Sequence, residues 1–155
     1  MVGIVVKPSI KIEEADRCFD VSKISNALED VSKLYPDFQG WFCNKFMPSF
    51  YMGERSILLA HNGSELCGVS LLKKTIEEDK ICTFYVLPEF RGEKLGEALL
   101  DRSLEHFSTS DVVISVSKER VEELYPVLHS RGFQLESRIE DLYRKGNKEH
   151  FYKNK

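Results

Sequence analysis

The chain carries no surplus of positive charge. Its 22 lysines and arginines stand against 25 aspartates and glutamates, for a formal net charge of −3. A protein built to lie along nucleic acid would show a basic footprint, so a nucleic-acid partner is not expected. Cysteine is scarce, with four residues, Cys18, Cys43, Cys67 and Cys82, spread widely along the chain. None stands at metal-ligand spacing from another cysteine or from His61, His106, His129 or His150. No metal site is expected, and the thiols read as free, mostly buried residues of a reducing compartment. No apolar run is long enough to span a bilayer. The apolar start around Ile4, Val5 and Val6 is too short for a secretory leader. The expectation is a cytoplasmic protein with no membrane partner. Internal repeats and low-complexity linkers are absent. The glycines match neither a phosphate loop ending in Lys-Ser/Thr nor a dinucleotide fingerprint with its distal acid.

At 155 residues the chain is long enough to bury a real core, and residues 1–155 read as one domain. Residues 3–6 are β-branched and end at Lys7-Pro8, which predicts a first strand. Residues 9–14 lead into a helical stretch, whose apolar positions between Ala15 and Leu34 recur at helical spacing with a break near Val21. Asp37 can cap a second helix running through Phe46. Phe38, Trp41, Phe42 and Phe46 then share one face, which reads first as core packing and second as the wall of a ligand pocket. Residues 47–54 read as a loop with Pro48 and Gly53. Strands 55–61 and 65–74 flank Asn62-Gly63, a strong hairpin signal. Strand 81–87 completes an antiparallel meander. Residues 111–117 form another buried strand, predicted to lie parallel to 81–87 through a right-handed crossover. Ser117 can cap the next helix, in which Val121, Leu124, Tyr125 and Leu128 share a face and Pro126 predicts a kink. Gly132 suits a C-terminal cap, and residues 133–139 and 149–153 read as the last strands.

The segment from Lys80 to Phe107 organises the rest. Its strand stops at Pro88, because proline cannot donate to a ladder. The turn Glu89-Phe90-Arg91-Gly92 opens a helix over residues 93–107, with Leu95, Leu99, Leu100, Leu104 and Phe107 on one face and Glu97, Asp101 and Glu105 on the other. The first amides of a helix lack partners and carry partial positive charge, so an anion can rest there. Glycine permits close approach, and arginine adds charge-assisted bonds. On these grounds alone the turn reads equally as a common strand-to-helix connection or as an anion site.

The run Val86-Leu87-Pro88-Glu89-Phe90-Arg91-Gly92-Glu93-Lys94-Leu95-Gly96 resembles motif A of the GNAT N-acetyltransferases. That family has a strand, V-x-P, and then Q/R-x-x-G-x-G/A opening a helix. Arg91 and Gly96 take the first and last motif positions, and Lys94 stands where the family usually has glycine. The element order and the Arg131-Gly132-Phe133 junction are similar to the family's as well. The resemblance implies an α+β fold, an α/β/α sandwich with a mixed, mostly antiparallel sheet of about six to seven strands and about four helices. Its central parallel strands would splay apart.

The resemblance also implies acetyl-CoA as cosubstrate and a primary amine, on a small molecule or a protein, as acceptor. The amine would attack the thioester directly in a ternary complex. The backbone of Val86 and Leu87 would meet the pantetheine arm, with the Val86 N–H as oxyanion donor. Arg91, Gly92, Glu93, Lys94, Leu95 and Gly96 would hold the diphosphate, and Ser117 would line the second strand. Many members use a tyrosine four residues before the G-F glycine as acid; Leu128 stands there, and Tyr125, one turn earlier, is the candidate substitute. Glu54, Glu149 and His150 are candidate bases by type. The alternative is a catalytically weak acyl-CoA-binding sensor or interaction domain, to which Lys94 and the missing tyrosine give weight. A homodimer stays open.

Overall fold

The computed structural model describes residues 9–92, 94–107, 111–143 and 145–154. The strand expected over residues 3–6 lies outside them. Among the described residues seven strands form one sheet: β1 (Lys11–Glu14), β2 (Arg55–His61), β3 (Leu66–Lys74), β4 (Asp79–Val86), β5 (Val112–Ser117), β6 (Phe133–Glu140) and β7 (Lys148–Asn154). Their spatial order is β1-β2-β3-β4-β5-β7-β6. Every neighbouring pair is antiparallel except β4 and β5, which run parallel. The mixed sheet with a central parallel pair is the one the motif implied.

Residues 11–14 do not lead into a helix as expected. They form an edge strand with one apolar residue, Ile12, and pair with β2 from Lys11↔His61 to Glu14↔Leu58. Ile12 packs against the core from this edge strand. The helical stretch that follows breaks into two single turns, α1 (Ser22–Ser25) and α2 (Glu29–Ser32), which bury Ile24 and Val31. The Asp20 carboxylate accepts from the Ser22 N–H at 3.0 Å just before α1.

The next helical run is longer than expected. It comprises α3 (Phe38–Trp41), a π turn (Phe42–Phe46) and α4 (Met47–Tyr51), so residues 47–51 are helix, not loop. Phe50 extends the apolar stripe by one more turn. Phe38, Phe42, Phe46 and Phe50 stack with ring centroids 5.8, 5.6 and 6.4 Å apart and planes tilted by 10°. Pro48 offers no N–H to a carbonyl four residues back, and the widened turn sits where that bond is missing. Asp37 makes no side-chain cap to α3.

The two longest helices are α5 (Leu95–His106) and α6 (Val121–Ser130). Leu99, Leu100 and Leu128 from them pack with Ile81, Phe84 and Val116 on one face of the sheet. Ile24, Leu28 and Phe46 pack with Ile57, Val69 and Tyr85 on the other. Burying a leucine of this kind stabilises the fold by roughly 1.5–3 kcal/mol, so both layers hold the sheet from either side. Gly68 lets α5 come close: a Cβ there would meet the Tyr85 carbonyl at 3.2 Å and Leu99 Cδ2 at 3.3 Å. At the end of α6, Gly132 takes φ 82°, the left-handed residue expected after the helix. No helix among the described residues is long and apolar enough to cross a membrane. Cys18 and Cys43 are exposed, whereas the expectation was of mostly buried thiols; Cys67 is buried.

One irregularity positions the functional region. Leu71 pairs with Thr83, but Leu72 pairs with Ile81, so Cys82 is an extra residue on β4. A bulge of this kind reverses the side-chain alternation. Ile81 and Phe84, three residues apart, consequently enter the same core.

Candidate functional site

Beyond that bulge β4 and β5 part. They pair only at Asp79↔Val112, Lys80↔Val113 and Ile81↔Ile114. Past this point β5 stays with β7 as far as Ser117↔Glu149, and β4 stays with β3 as far as Gly68↔Val86. Residues 82–86 therefore present one edge to a gap. The N–H and C=O of one strand residue point to the same side. The Val86 carbonyl accepts from Arg91 Nε at 2.9 Å, and the Phe84 carbonyl accepts from Arg120 Nη2. Both groups lie on the gap side, and the Val86 N–H lies there with them. Leu87 turns its N–H the other way, to the Cys67 carbonyl at 2.9 Å.

Side chains close this edge. Glu123 on α6 pairs with Arg91 at 3.2 Å and with Arg120 at 3.4 Å. Both guanidinium groups lie over the Tyr85 ring, 5.4 and 5.6 Å from its centroid. The Tyr85 hydroxyl donates to Asp30 at 2.6 Å. Burial, reinforced by that carboxylate, pushes the Tyr85 phenol up to about 12. Glu123 thus joins two arginines, each holding a β4 carbonyl that would otherwise face open space.

After β4 the chain makes a 3-10 turn (Pro88–Phe90) and enters α5. Gly92 has φ 86°, and Lys94, which precedes α5, has φ 63° and ψ 13°. The left-handed region is costly for any residue with a Cβ, which gives a conformational reason for glycine at the Lys94 position. Cβ atoms built on Gly92 or Gly96 would meet nothing within 4 Å. The Ala98 N–H bonds back to the Lys94 carbonyl at 3.1 Å, so the amides of the first turn before it have no helical acceptor. The end of β4 and the start of α5 therefore bring Val86, Leu87, Arg91, Gly92, Lys94, Leu95 and Gly96 together. Glu93 lies outside the described residues. The Leu95 side chain is buried in the core, which leaves its backbone to face the loop.

Two other sequence candidates sit apart from that loop. Ser117 does not cap α6, because a 3-10 turn (Lys118–Arg120) intervenes and no side-chain cap forms. Its hydroxyl is buried at the end of β5, with no hydrogen-bond partner within bonding geometry among the described residues. Tyr125 does not share the buried face of Leu124 and Leu128. It is 45% exposed, stacks on His129 at 5.3 Å, and places its hydroxyl 3.5 Å from His129 Nδ1.

A cavity of about 420 Å³ opens beside the gap, within the size range of small-molecule sites. Thr83, Phe84 and Ser115 line its inner end, and Phe38, Trp41 and Tyr143 give it aromatic walls. Both readings of the aromatic helix face hold, since Phe38 is core and cavity wall at once. Tyr35 also lines the cavity and donates to Glu149 Oε1 at 2.7 Å. Glu149 is 5% exposed. Burial pushes its carboxyl above the usual glutamate range, against the pull of Tyr35, Ser115, Lys80 and Arg120. Burial and the Glu149 charge push the Tyr35 phenol far up, so it stays protonated. Of the other acids and bases suggested by type, Glu54 is exposed, and the imidazole of His150 is shifted down by burial.

Sequence reasoning passed over Tyr35, Arg55, Arg120 and Glu123. Tyr35 stands beside Pro36 in what reads as a helix terminator, and nothing local marks it as a partner of β7. Arg120 and Glu123 carry an i,i+3 charge pair, an ordinary surface signal on a helix.

The acetyltransferase (GNAT) domain model matches residues 37–146. Among curated proteins none matches the chain by sequence. Solved structures share its fold at low identity. A GNAT-family acetyltransferase from Desulfovibrio desulfuricans is 12% identical with TM-score 0.70, over 94% of this chain and 98% of that one. Spermidine N-acetyltransferase from Vibrio cholerae, in complex with CoA and spermine, is 12% identical with TM-score 0.68, over 93% and 94%. A GNAT acetyltransferase from Elizabethkingia anophelis with acetyl-CoA bound is 15% identical with TM-score 0.63, over 94% and 97%.

Proposed function

The chain belongs to the GNAT acetyltransferase family, and from that premise we propose that it is an acetyl-CoA-dependent N-acetyltransferase acting on a primary amine. The observation that carries this reading is the edge of β4 over residues 82–86, which among the described residues has no partner strand past Ile81↔Ile114 and is covered only by the Arg91 and Arg120 side chains. A pantetheine arm is an extended chain of amides, and such a chain pairs with an unpaired strand edge as an added strand does. The open space at Gly92 and Gly96 and the first-turn amides of α5 suit a diphosphate. The Arg91 guanidinium and the Lys94 ammonium add charge there. Ser117 offers a buried hydroxyl on the facing strand.

Bound in this way, acetyl-CoA supplies an activated acetyl thioester at the inner end of the cavity. The Val86 N–H then stabilises the oxyanion that develops on the acetyl carbonyl. Arg91 leaves the Val86 carbonyl and turns to the diphosphate, and Arg120 leaves Phe84. The acceptor amine enters from the cavity side, past Trp41 and Tyr143. As its nitrogen bonds to the acetyl carbon and the carbon–sulfur bond breaks, the amine gives up a proton. Tyr35 passes that proton to Glu149: its hydroxyl oxygen receives one proton as its own moves 2.7 Å along the existing hydrogen bond. The leaving thiolate takes its proton from solvent. No enzyme nucleophile is required, so initial-rate patterns should be those of a ternary complex.

Calorimetric titration with acetyl-CoA, followed by thiol release with a panel of amines, tests the reading. One-site binding with amine-dependent release of CoA supports it. Failure to bind acetyl-CoA removes it. Binding without release for any amine leaves the sensor or interaction module instead.

A further inference from the structure

The far end of the cavity is cationic, and that charge is arranged. Arg55 on β2 pairs with Lys73 on β3, and Lys73 pairs with Lys80 on β4. Three cations therefore stand side by side across three strands, and all three line the cavity. Like charges directly opposite one another destabilise a sheet, so fold stability alone gives no reason for this row. Lys45, one turn beyond Trp41 on the helical run, adds a fourth cation to the same wall.

The compensation is incomplete. Glu78 pairs with Lys73 at 2.9 Å, and Lys80 and Arg55 also act on its carboxyl, so one carboxylate serves three cations. Asp37 is the one further carboxylate that lines the cavity among the described residues. Arg55 is 7% exposed. Its guanidinium bonds to Cys82 Sγ at 3.3 Å and lies 5.6 and 5.7 Å from the Trp41 and Phe46 ring centroids. No carboxylate of the described residues lies within ion-pairing distance of it. A guanidinium has five donors, and a nearly buried one held by rings and a thiol still has donors to give.

The diphosphate of acetyl-CoA does not account for these charges. Lys80 lies six residues before Val86 on β4, roughly 20 Å at strand rise, at the opposite end from the α5 loop. The proton acceptor, Tyr35 with Glu149, lies nearer the gap; of the row, Lys80 alone acts on the Glu149 carboxyl.

We propose that the acceptor is a compact, flat amine carrying an anionic group, a carboxylate in the simplest case, at the end opposite the amine. The anion sits against Arg55, Lys80 and Lys45, the body lies between Trp41 and Tyr143, and the amine points to the gap. A polyamine would set a cation against the row. This proposal rests on the transferase reading for the amine, but its anion site is measurable without turnover.

Trp41 is the only tryptophan in the sequence, so intrinsic fluorescence reports on the cavity. Three para-substituted benzylamines of similar shape serve as probes: 4-(aminomethyl)benzoate, 4-methylbenzylamine and the diamine 1,4-bis(aminomethyl)benzene. The expected result is saturation by the benzoate at a concentration at least tenfold lower than by either of the others. Lys45→Met, on the exposed side of the helix, should cut that preference at least threefold, and Arg55→Met should abolish it where the variant folds. Equal or tighter binding of the methyl or diamine probe overturns the proposal, as does absence of any saturable change. A preference untouched by Lys45→Met and by a folded Arg55→Met overturns it too. Acetyl-CoA calorimetry on the same sample separates the readings. If acetyl-CoA binds and the preference fails, only the acceptor class falls; if the preference holds and acetyl-CoA does not bind, the transferase reading falls.

Discussion

Tyr35 donates a hydrogen bond of 2.7 Å to Glu149 across 114 residues of sequence. It joins the helical layer to β7 opposite Ser117, three residues past the last pair of β4 and β5. A buried carboxyl, shifted up by burial and touched by a hydroxyl that lines the cavity, has the attributes of a proton acceptor.

Acetyl transfer should therefore rise with pH through a value above the ordinary glutamate range of about 4.3, because only the ionised carboxylate can accept. Glu149→Gln should lower kcat about 100-fold or more and remove that limb of the profile. The stability effect has the opposite sign. A carboxyl whose folded value is raised favours the fold below its unfolded value, and that contribution is lost as pH rises through the folded value. Glu149→Gln should thus raise Tm at neutral pH. An unchanged pH–rate profile would take Glu149 out of the mechanism.

Gly96→Glu should weaken acetyl-CoA binding at least 100-fold while leaving Tm within a few degrees. A Cβ at Gly96 meets nothing within 4 Å, so the fold tolerates it, but a carboxylate would stand where phosphate oxygens are expected. Calorimetry that returned the wild-type affinity would move the diphosphate elsewhere.

Lys94→Gly should stabilise the loop. Lys94 holds φ 63°, which costs a residue with a Cβ roughly 1–2 kcal/mol; glycine's extra freedom when unfolded takes back about half. The net gain expected is about 0.5–1 kcal/mol in denaturant unfolding. If the ammonium matters for phosphate, acetyl-CoA affinity falls despite the gain, and Lys94→Asn, which tolerates the left-handed region, falls with it. A loss of stability on Lys94→Gly would mean that the side chain makes contacts outweighing the backbone strain.

The sheet was legible because its signals are local. Asn62-Gly63 marks the hairpin between β2 and β3, and the apolar runs of β4 and β5 stand between turn residues. The order strand, helix, strand from β4 through α5 to β5 marks the parallel pair, and the resemblance from Val86 to Gly96 implies its splay. Residues 11–14 were missed because four residues with a single apolar position do not separate a strand from a helix start. The helix end near Phe46 was misplaced because Pro48 reads as a breaker, and a π turn is invisible to a 3.6-residue period. The site's polar contacts were the least legible. Tyr35–Glu149, the row Arg55–Lys73–Lys80 and the Arg91–Glu123 pair each depend on how distant segments meet, which spacing along the chain does not encode.

That last link has a measurable consequence for cofactor binding. Glu123 holds Arg91 at 3.2 Å and Arg120 at 3.4 Å, and the arginines in turn hold the Val86 and Phe84 carbonyls. If a pantetheine arm pairs with that edge, both arginines must first let go. Partly exposed pairs such as these contribute about 0.2–1 kcal/mol each. Glu123→Gln removes the carboxylate charge while keeping the side chain's size, so about 1 kcal/mol or less of opposition to binding disappears. Acetyl-CoA affinity should then rise about two- to fivefold, seen by calorimetry as a lower Kd. Arg91→Ala frees the same carbonyl but deletes the proposed phosphate contact, so its affinity should fall instead. The opposite signs of the two variants distinguish a closure that must open from a rigid wall of the site. Should Glu123→Gln weaken binding as Arg91→Ala does, the link would support the bound state and would not oppose it.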